Sequence, residues 1–164
     1  MAAGIPVYVA AKMHNEGKSN DEIIEFLSKF IYRVNAVFSA NDLFHLKRGG
    51  RISAAAAAMG TLLQLKPIIR LTDEGKLTSA DKVQGRKKAV NYIIEDVIKN
   101  VRDTDKYPIV ILNADCPADA EKIETKLKEA FPEADIWMYD VGPVIGTHCG
   151  PDTIACVYVG DKRN

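Results

Sequence analysis

Two short segments combine glycine with polar or charged residues in a way that neither a buried core nor a solvated surface explains. Residues 46–53 read LKRGGRIS, and residues 141–151 read VGPVIGTHCGP. Glycine lets the main chain approach a ligand closely, and loops that carry such residues often bind ligands. The imidazole of His148 and the hydroxyl of Thr147 can donate charge-assisted hydrogen bonds to an anion such as a carboxylate. We therefore take these two segments as the candidate site.

Two kinds of reactive centre are conceivable at the second segment. We expect His148 and Cys149 to lie in an extended segment, so that their adjacent side chains point to opposite faces and do not readily form a nucleophile–base pair. Adding Cys156 as a third ligand fits no usual zinc spacing. A small hydrolase or phosphotransferase centred on His148 is kept as the alternative function. His148 acting only as the cap of a turn is the structural alternative.

The other charged and histidine residues are assigned plainer roles. Arginine among glycines occurs in RNA-binding segments, but this single copy has no aromatic neighbours on which bases could stack. Lys47 and Arg48 are predicted to complement the carboxyl end of a helix, whereas Arg51 is a candidate for a specific ion pair inside the domain or with a partner. His14 and His45 fall on predicted helices and are expected to be ordinary surface or interface residues.

Composition limits the class of protein. The 164 residues are 47% apolar and 27% charged, which is typical of one globular domain. The 22 basic and 22 acidic residues cancel, so the net charge favours neither nucleic acid nor an anionic membrane as a partner. No apolar stretch approaches the roughly 20 residues of a membrane helix. We expect no signal peptide, reduced thiols at the three cysteines and a cytoplasmic location.

The first third of the chain is predicted to be mostly helical. Ser19 and Glu22 have the spacing of a capping box, and the apolar residues behind them repeat at helical intervals as far as residue 32. An earlier helix is expected over residues 5–15, and a short strand over residues 34–38. A helix over residues 42–48 should end at Gly49 and Gly50, since glycine adopts the left-handed cap readily.

The remaining segments alternate between strands and helices. Predicted strands cover residues 68–71, 77–82, 109–112, 136–139 and 154–159, and the first two form a hairpin around residues 73–75. The strand over residues 109–112 is continuously apolar, which favours burial on both faces. Predicted helices begin near Ser53 and cover residues 90–101 and 120–130. The pattern predicts an α/β fold with a mixed sheet of about six strands, covered by helices and containing one internal hairpin.

Several motifs in register resemble the DegV family of fatty-acid-binding proteins. They are LKRGGRIS at 46–53, LLQLKPI at 62–68, DEGK at 73–76, RKKA at 86–89 and VGPVIGTHCGP at 141–151. The family usually reads GTHTGPG in the last motif, so Cys149 and Asp152 depart from its pattern. Gln84 also stands where the family often has a basic residue. The resemblance covers nearly the whole chain but only the carboxy-terminal part of the family.

The resemblance implies how the chain is divided. Residues 1–33 resemble the family's helical inter-domain connection, and residues 34–164 resemble its carboxy-terminal α/β domain. The family's amino-terminal domain, which contacts the lipid head group through serine and threonine, has no counterpart in this sequence. We therefore expect an incomplete lipid site and self-association through the exposed domain interface. An interaction module without lipid binding is a further alternative.

The resemblance also implies a carrier rather than an enzyme, with no cofactor and no metal. Family members hold a long-chain fatty acid in a tunnel and present its carboxylate to a separate fatty-acid kinase. Carried over, the carboxylate contacts are His148, Thr147 and Gly146. The residues expected to form the acyl-chain pocket are Ile52, Ala55, Ala58, Leu62, Leu63 and Ile145. Arg51 and Arg86 are expected to dock the kinase.

The alanine run at residues 54–58 has two interpretations. Successive helical residues turn by about 100°, so five alanines make a helix thin on every side. High helix propensity and close packing explain this composition without any ligand. The functional interpretation is that the small side chains leave room for an acyl chain to run past.

Overall fold

A computed structural model describes residues 2–50, 53 and 63–163 of the chain. In order, the elements are α1 (Gly4–Asn15), α2 (Asn20–Phe30), a 3-10 turn (Ile31–Arg33), β1 (Val34–Ser39), α3 (Leu43–Arg48), β2 (Leu65–Leu71), β3 (Leu77–Gln84), α4 (Arg86–Asn100), β4 (Ile109–Ala114), α5 (Pro117–Ala130), β5 (Ile136–Asp140), α6 (Pro143–Cys149) and β6 (Thr153–Val159). The six strands form one mixed sheet in the order β3-β2-β1-β6-β4-β5. The predicted α/β fold is confirmed.

The start of α2 shows why the sequence forms a helix there. The Glu22 N–H donates to Ser19 Oγ at 3.3 Å, and the Ser19 N–H donates to Glu22 Oε2 at 2.9 Å, which completes the predicted capping box. Both bonds satisfy amides that the first turn of a helix leaves unpaired. The helix ends at Phe30, two residues before the predicted end, because the chain tightens into the 3-10 turn.

The predicted hairpin is confirmed as β2 and β3. Gly75 has a φ of +76°, and its N–H donates to Thr72 O at 2.9 Å, which closes the turn between the two strands. β2 begins at Leu65 rather than at residue 68, and a bulge between Ile68 and Ile69 shifts its register with β3.

Helices cover both faces of the sheet. Along β6, Ile154, Cys156 and Tyr158 pack with α4 and α5, whereas Ala155, Val157 and Val159 pack with α1 and α2. All seven residues of this central strand are buried. β4 alternates in the same way, which confirms that the apolar strand predicted at residues 109–112 is covered on both faces. No described helix is long and apolar enough to cross a membrane.

One edge of the sheet gathers the segments that carry the candidate site. Ser39 at the end of β1 pairs with Ile154, and Ala114 at the end of β4 pairs with Thr153. β5 runs parallel to β4 and ends at the same place, so α3 and α6 both follow strands that finish there. We call this boundary the carboxyl edge, after the carboxyl ends of β1, β4 and β5. Loops at such an edge are where open α/β sheets bind ligands.

Candidate functional site

The second glycine-rich segment contains a helix, which corrects the extended conformation predicted at His148 and Cys149. α6 begins at Pro143 and ends at Cys149. Proline suits the first helical position because its ring fixes φ near the helical value. Gly150 ends the helix with a φ of +81°, and its N–H donates to Gly146 O at 2.8 Å. The three glycines of this segment disguised a helix too short to show a clear apolar period.

Two of the three predicted carboxylate contacts already use their hydrogen-bond donors within the helix. The hydroxyl of Thr147 donates to Pro143 O at 2.8 Å, and the N–H of Gly146 donates to Gly142 O at 2.9 Å. His148 is half-buried, and its imidazole has no hydrogen-bond partner within residues 2–50, 53 and 63–163. Of the three, the imidazole is therefore the donor that needs no local rearrangement to meet a ligand.

His148 and Cys149 still do not combine as a reactive pair. Adjacent side chains of a helix point in directions about 100° apart. The helix therefore separates the two side chains, as the predicted extended conformation would have done. Cys156 lies in the middle of β6, paired with Val37 and Ile111, away from the carboxyl edge. Among the described residues, no group of three or more His, Cys, Asp or Glu is placed to hold a metal ion.

The first glycine-rich segment reaches the same edge through α3. The Phe44 N–H donates to Asp42 Oδ1 at 2.8 Å and caps the start of the helix. Lys47 and Arg48 lie in its last turn, as predicted, where a positive charge complements the helix dipole. The left-handed residue after the helix is Gly50, with a φ of +72°.

His45 joins the two segments, a contact that its assignment as an ordinary surface or interface residue did not include. Its Nε2 lies 2.7 Å from Thr147 O, and its ring lies directly against Gly150. Arg48 Nη2 lies 3.4 Å from Nδ1 of the same ring. Spacing along the chain gave no sign of this contact, because α3 and α6 are far apart in sequence.

Arg86 lies within a network of charges at the start of α4. Its Nε donates to Asp119 Oδ2 at 2.7 Å, and its Nη1 donates to Asp152 O at 2.5 Å. Its Nη2 is buried and has no partner among the described residues. Asn41 donates to the carboxylate of Asp152 at 3.2 Å, which ties the end of β1 into the network. The contact of Arg86 with a kinase, predicted from the resemblance, is not tested by these intramolecular bonds.

Lys66 adds a second partly buried cation to this edge. Its Nζ donates to Asn41 O at 2.8 Å. Burial lowers the pKa of Lys66, and the nearby positive charge of Arg86 lowers it further, while Asp152 and Asp42 oppose the effect. The positive charges of Arg86 and Lys66 therefore lie among the carboxylates of Asp119, Asp152 and Asp42, beside the end of α6.

The remaining predicted positions divide into two groups. Leu63 and Ile145 are exposed, with 50% and 39% of their surface accessible. The other predicted site residues lie outside the described residues, and they are Arg51, Ile52, Ala55, Ala58 and Leu62. Whether the exposed pair lines an acyl-chain pocket stays a prediction.

Cys116 is buried in the core next to the Arg86 network and is not part of the candidate site. Its Sγ donates to Thr153 O at 3.4 Å where β6 begins. Burial raises the pKa of this thiol, although the charge of Arg86 opposes the rise. A thiol held neutral in this way is a poor nucleophile, so Cys116 is best explained as part of the core.

Comparison with known proteins identifies one consistent set of relatives. The model of the DegV family, described as "Uncharacterised protein, DegV family", matches residues 1–161. A DegV domain-containing protein from Clostridium perfringens is 37% identical over 163 residues, which are 99% of this chain and 56% of that protein. The chain thus spans about half the length of the curated relatives it matches.

Solved structures agree with this result. A fatty acid binding DegV family protein from Streptococcus agalactiae is 30% identical with a TM-score of 0.80, and the match covers 97% of this chain and 56% of that one. The Streptococcus pneumoniae fatty acid kinase B3 protein, solved with linoleic acid, has a TM-score of 0.82 at 19% identity, over 98% of this chain and 56% of that one. At that identity, the second likeness shows the fold alone.

Proposed function

Since this chain belongs to the DegV family, we propose that it forms part of a carrier that binds a long-chain fatty acid and presents its carboxylate to a separate fatty-acid kinase. Two findings support the proposal. A relative of 30% identity is described as fatty acid binding. The imidazole of His148, half-buried at the carboxyl edge, has no hydrogen-bond partner among the described residues. This second observation carries the assignment of the site.

His148 is the principal donor to the carboxylate in this proposal. A carboxylate drawn into a partly dry site needs donors, because a buried anion without partners is costly. A hydrogen bond to a charged group contributes about 1.5–3 kcal/mol. Thr147 contributes only if its hydroxyl leaves Pro143 O, and the N–H of Gly146 only if the helical bond to Gly142 O opens. These two residues are therefore secondary contacts.

The acyl chain is proposed to run past the exposed apolar residues of this edge. Ile145 on α6 and Leu63 before β2 supply described apolar surface. The other proposed wall residues are Ile52, Ala55, Ala58 and Leu62. Each buried methylene stabilises the complex by about 0.8 kcal/mol, so the affinity should rise with chain length.

The kinase is proposed to dock near Arg51 and Arg86. Exposed ion pairs contribute only about 0–1 kcal/mol each, but several together raise the association rate. Arg86 already pairs with Asp119, so a partner carboxylate would compete with that residue. The cleaner test is Arg51→Glu in a protein extended to the length of its relatives, with phosphorylation of the bound lipid as readout. Unchanged phosphorylation at every salt concentration would exclude docking at Arg51.

Calorimetry with a fatty acid and its methyl ester tests the carboxylate site. His148→Ala should weaken binding of the acid by about 1.5–3 kcal/mol and leave binding of the ester nearly unchanged, because only the acid presents an anion. His14→Ala, which removes an exposed imidazole from α1, is the matched control and should change neither affinity. Equal losses for acid and ester would mean that His148 shapes the helix rather than contacts the ligand.

A further inference from the structure

The contacts between α3 and α6 involve the main chain immediately before and after His148, and not the side chain of His148. His45 Nε2 lies 2.7 Å from Thr147 O, on the residue before His148. A Cβ added at Gly150 would lie 2.6 Å from His45 Cγ, so the ring packs against the main chain two residues after His148. A Cβ at Gly49 would lie 3.6 Å from His148 O itself. The end of α3 thus holds the main chain on both sides of His148.

The two polar contacts of His45 require one protonation state. A carbonyl oxygen can only accept, so Nε2 must carry a hydrogen to bond with Thr147 O. The guanidinium of Arg48 can only donate, so Nδ1, at 3.4 Å from Arg48 Nη2, must be unprotonated. The neutral Nε2–H tautomer satisfies both contacts together. Arg48 also lies 3.5 Å from Asp42 Oδ2, which holds its guanidinium beside the ring.

We propose that His45 is a positioning residue that orients His148 toward the fatty-acid carboxylate by fixing the end of α6, an inference that rests on the function proposed above. The helix has only seven residues, too short to hold its own orientation by main-chain bonds alone. Its last turn is therefore placed by what it contacts. His45 contributes a hydrogen bond to Thr147 and ring packing against Gly150, and neither contact leaves the imidazole available to the ligand.

Nitrogen NMR of the imidazoles in the wild-type chain gives the first test. We expect the resonances of His45, assigned by their loss in His45→Gln, to be those of the neutral Nε2–H tautomer. The Nδ1–H tautomer would overturn the proposal, because an unprotonated Nε2 cannot bond with a carbonyl oxygen. This measurement requires no ligand.

Binding of oleate and methyl oleate gives the second test. His45→Leu should weaken oleate binding about two- to tenfold, the range for one net hydrogen bond, with little change for the ester. His45→Gln keeps an N–H donor and should recover most of the affinity, whereas His14→Leu should bind both ligands as wild type does. Wild-type affinity for oleate in His45→Leu would overturn the proposal.

The outcome distinguishes a failure of this inference from a failure of the proposed function. If the wild-type chain binds no oleate, this counts against the proposed function. The role of His45 in positioning α6 is then tested by the NMR spectra alone. The main-chain amide resonances of α6 should then shift in His45→Leu. Unchanged α6 resonances in His45→Leu would overturn the positioning role.

Discussion

Arg70 Nη2 on β2 lies 2.5 Å from Asp96 Oδ1 on α4, and only 3% of the Asp96 side chain is accessible. Asn100 and Tyr158 also donate to this carboxylate, at 2.8 and 2.9 Å. Burial alone would lower the pKa of Arg70, but its hydrogen bonds with Tyr92 and Asp96 raise it instead. The guanidinium of Arg70 therefore stays charged, and both oxygens of the Asp96 side chain accept hydrogen bonds.

Asp96→Ala should destabilise the chain by about 3–5 kcal/mol, because it leaves the largely buried charge of Arg70 without its carboxylate partner. Urea unfolding measures the loss. Asp161→Ala is the matched control, since it breaks an ion pair with Arg102 in which the Asp161 side chain is 72% exposed. That change should cost about 0–1 kcal/mol. Losses of equal size would contradict the importance assigned to the buried network.

Asp103 should make the free energy of unfolding depend on pH in the acidic range. It accepts hydrogen bonds from Arg33 at 2.6 Å and Lys106 at 3.2 Å, and these bonds hold the pKa of Asp103 below its ordinary value of 3.8. A carboxyl with a lowered native pKa stabilises fully above its unfolded pKa and loses that contribution as the pH falls through the native pKa. From about pH 5 downward, the wild type should therefore lose more stability than Asp103→Asn.

Urea unfolding at a series of pH values measures this difference between the wild type and Asp103→Asn. Arg33→Met removes the first cause of the lowered pKa, so introducing Asp103→Asn into the Arg33→Met variant should change the pH dependence less. The bond from Lys106 remains in that variant, and the difference should not vanish. An undiminished difference would show that Arg33 is not responsible.

Gly150→Ala should be strongly destabilising. The new Cβ would lie 2.6 Å from His45 Cγ at a φ of +81°. Overpacking costs about 1–3 kcal/mol, and the left-handed conformation adds about 1–2 kcal/mol for a residue with a Cβ. Gly146→Ala adds the same methyl group inside α6, where no atom of the described residues outside the helix backbone lies within 4 Å, and should be neutral or stabilising. Thermal melting compares the two, and a lower melting temperature for Gly146→Ala would contradict this account.

The chain should self-associate through apolar residues near the carboxyl edge. Val144 and Ile145 on α6 are 71% and 39% exposed, and Met138 and Tyr139 on β5 are 41% and 56% exposed. Exposed apolar surface of this kind commonly marks an interface. Light scattering should find a dimer that Val144→Asp weakens, whereas Val7→Asp, at a position 67% exposed on α1, should not. A wild-type monomer at high concentration would contradict the prediction.

Local patterns predicted most of the fold because most elements carry their own signal. The capping box at Ser19, the turn at Gly75 and the apolar strand over residues 109–112 each depend on neighbours in the sequence. α6 lacked such a signal, since its glycines are poor helix formers and its seven residues are too few for an apolar period. Its helical state depends on what surrounds it.

The candidate site was less predictable, because its geometry depends on residues distant in sequence. Asp152 is an example, since it departs from the family pattern where that pattern has glycine. The φ of Asp152 is +56°, a left-handed conformation that explains why the family pattern has glycine at this position. Aspartate tolerates this conformation better than most residues. The carboxylate then accepts a hydrogen bond from Asn41. Neither the backbone angle nor the partner follows from spacing in the sequence, and the same holds for His45 and Thr147.

The central position of β6 has a consequence for how the chain is made. β6 pairs with β1 on one side and β4 on the other, yet it follows both in sequence. Until residues 153–159 leave the ribosome, β3-β2-β1 and β4-β5 have no shared pairing, and each presents an open edge. Such long-range pairing forms slowly, and unpaired edges invite aggregation. The nascent protein should therefore depend on chaperones until β6 inserts between the two halves and completes the sheet.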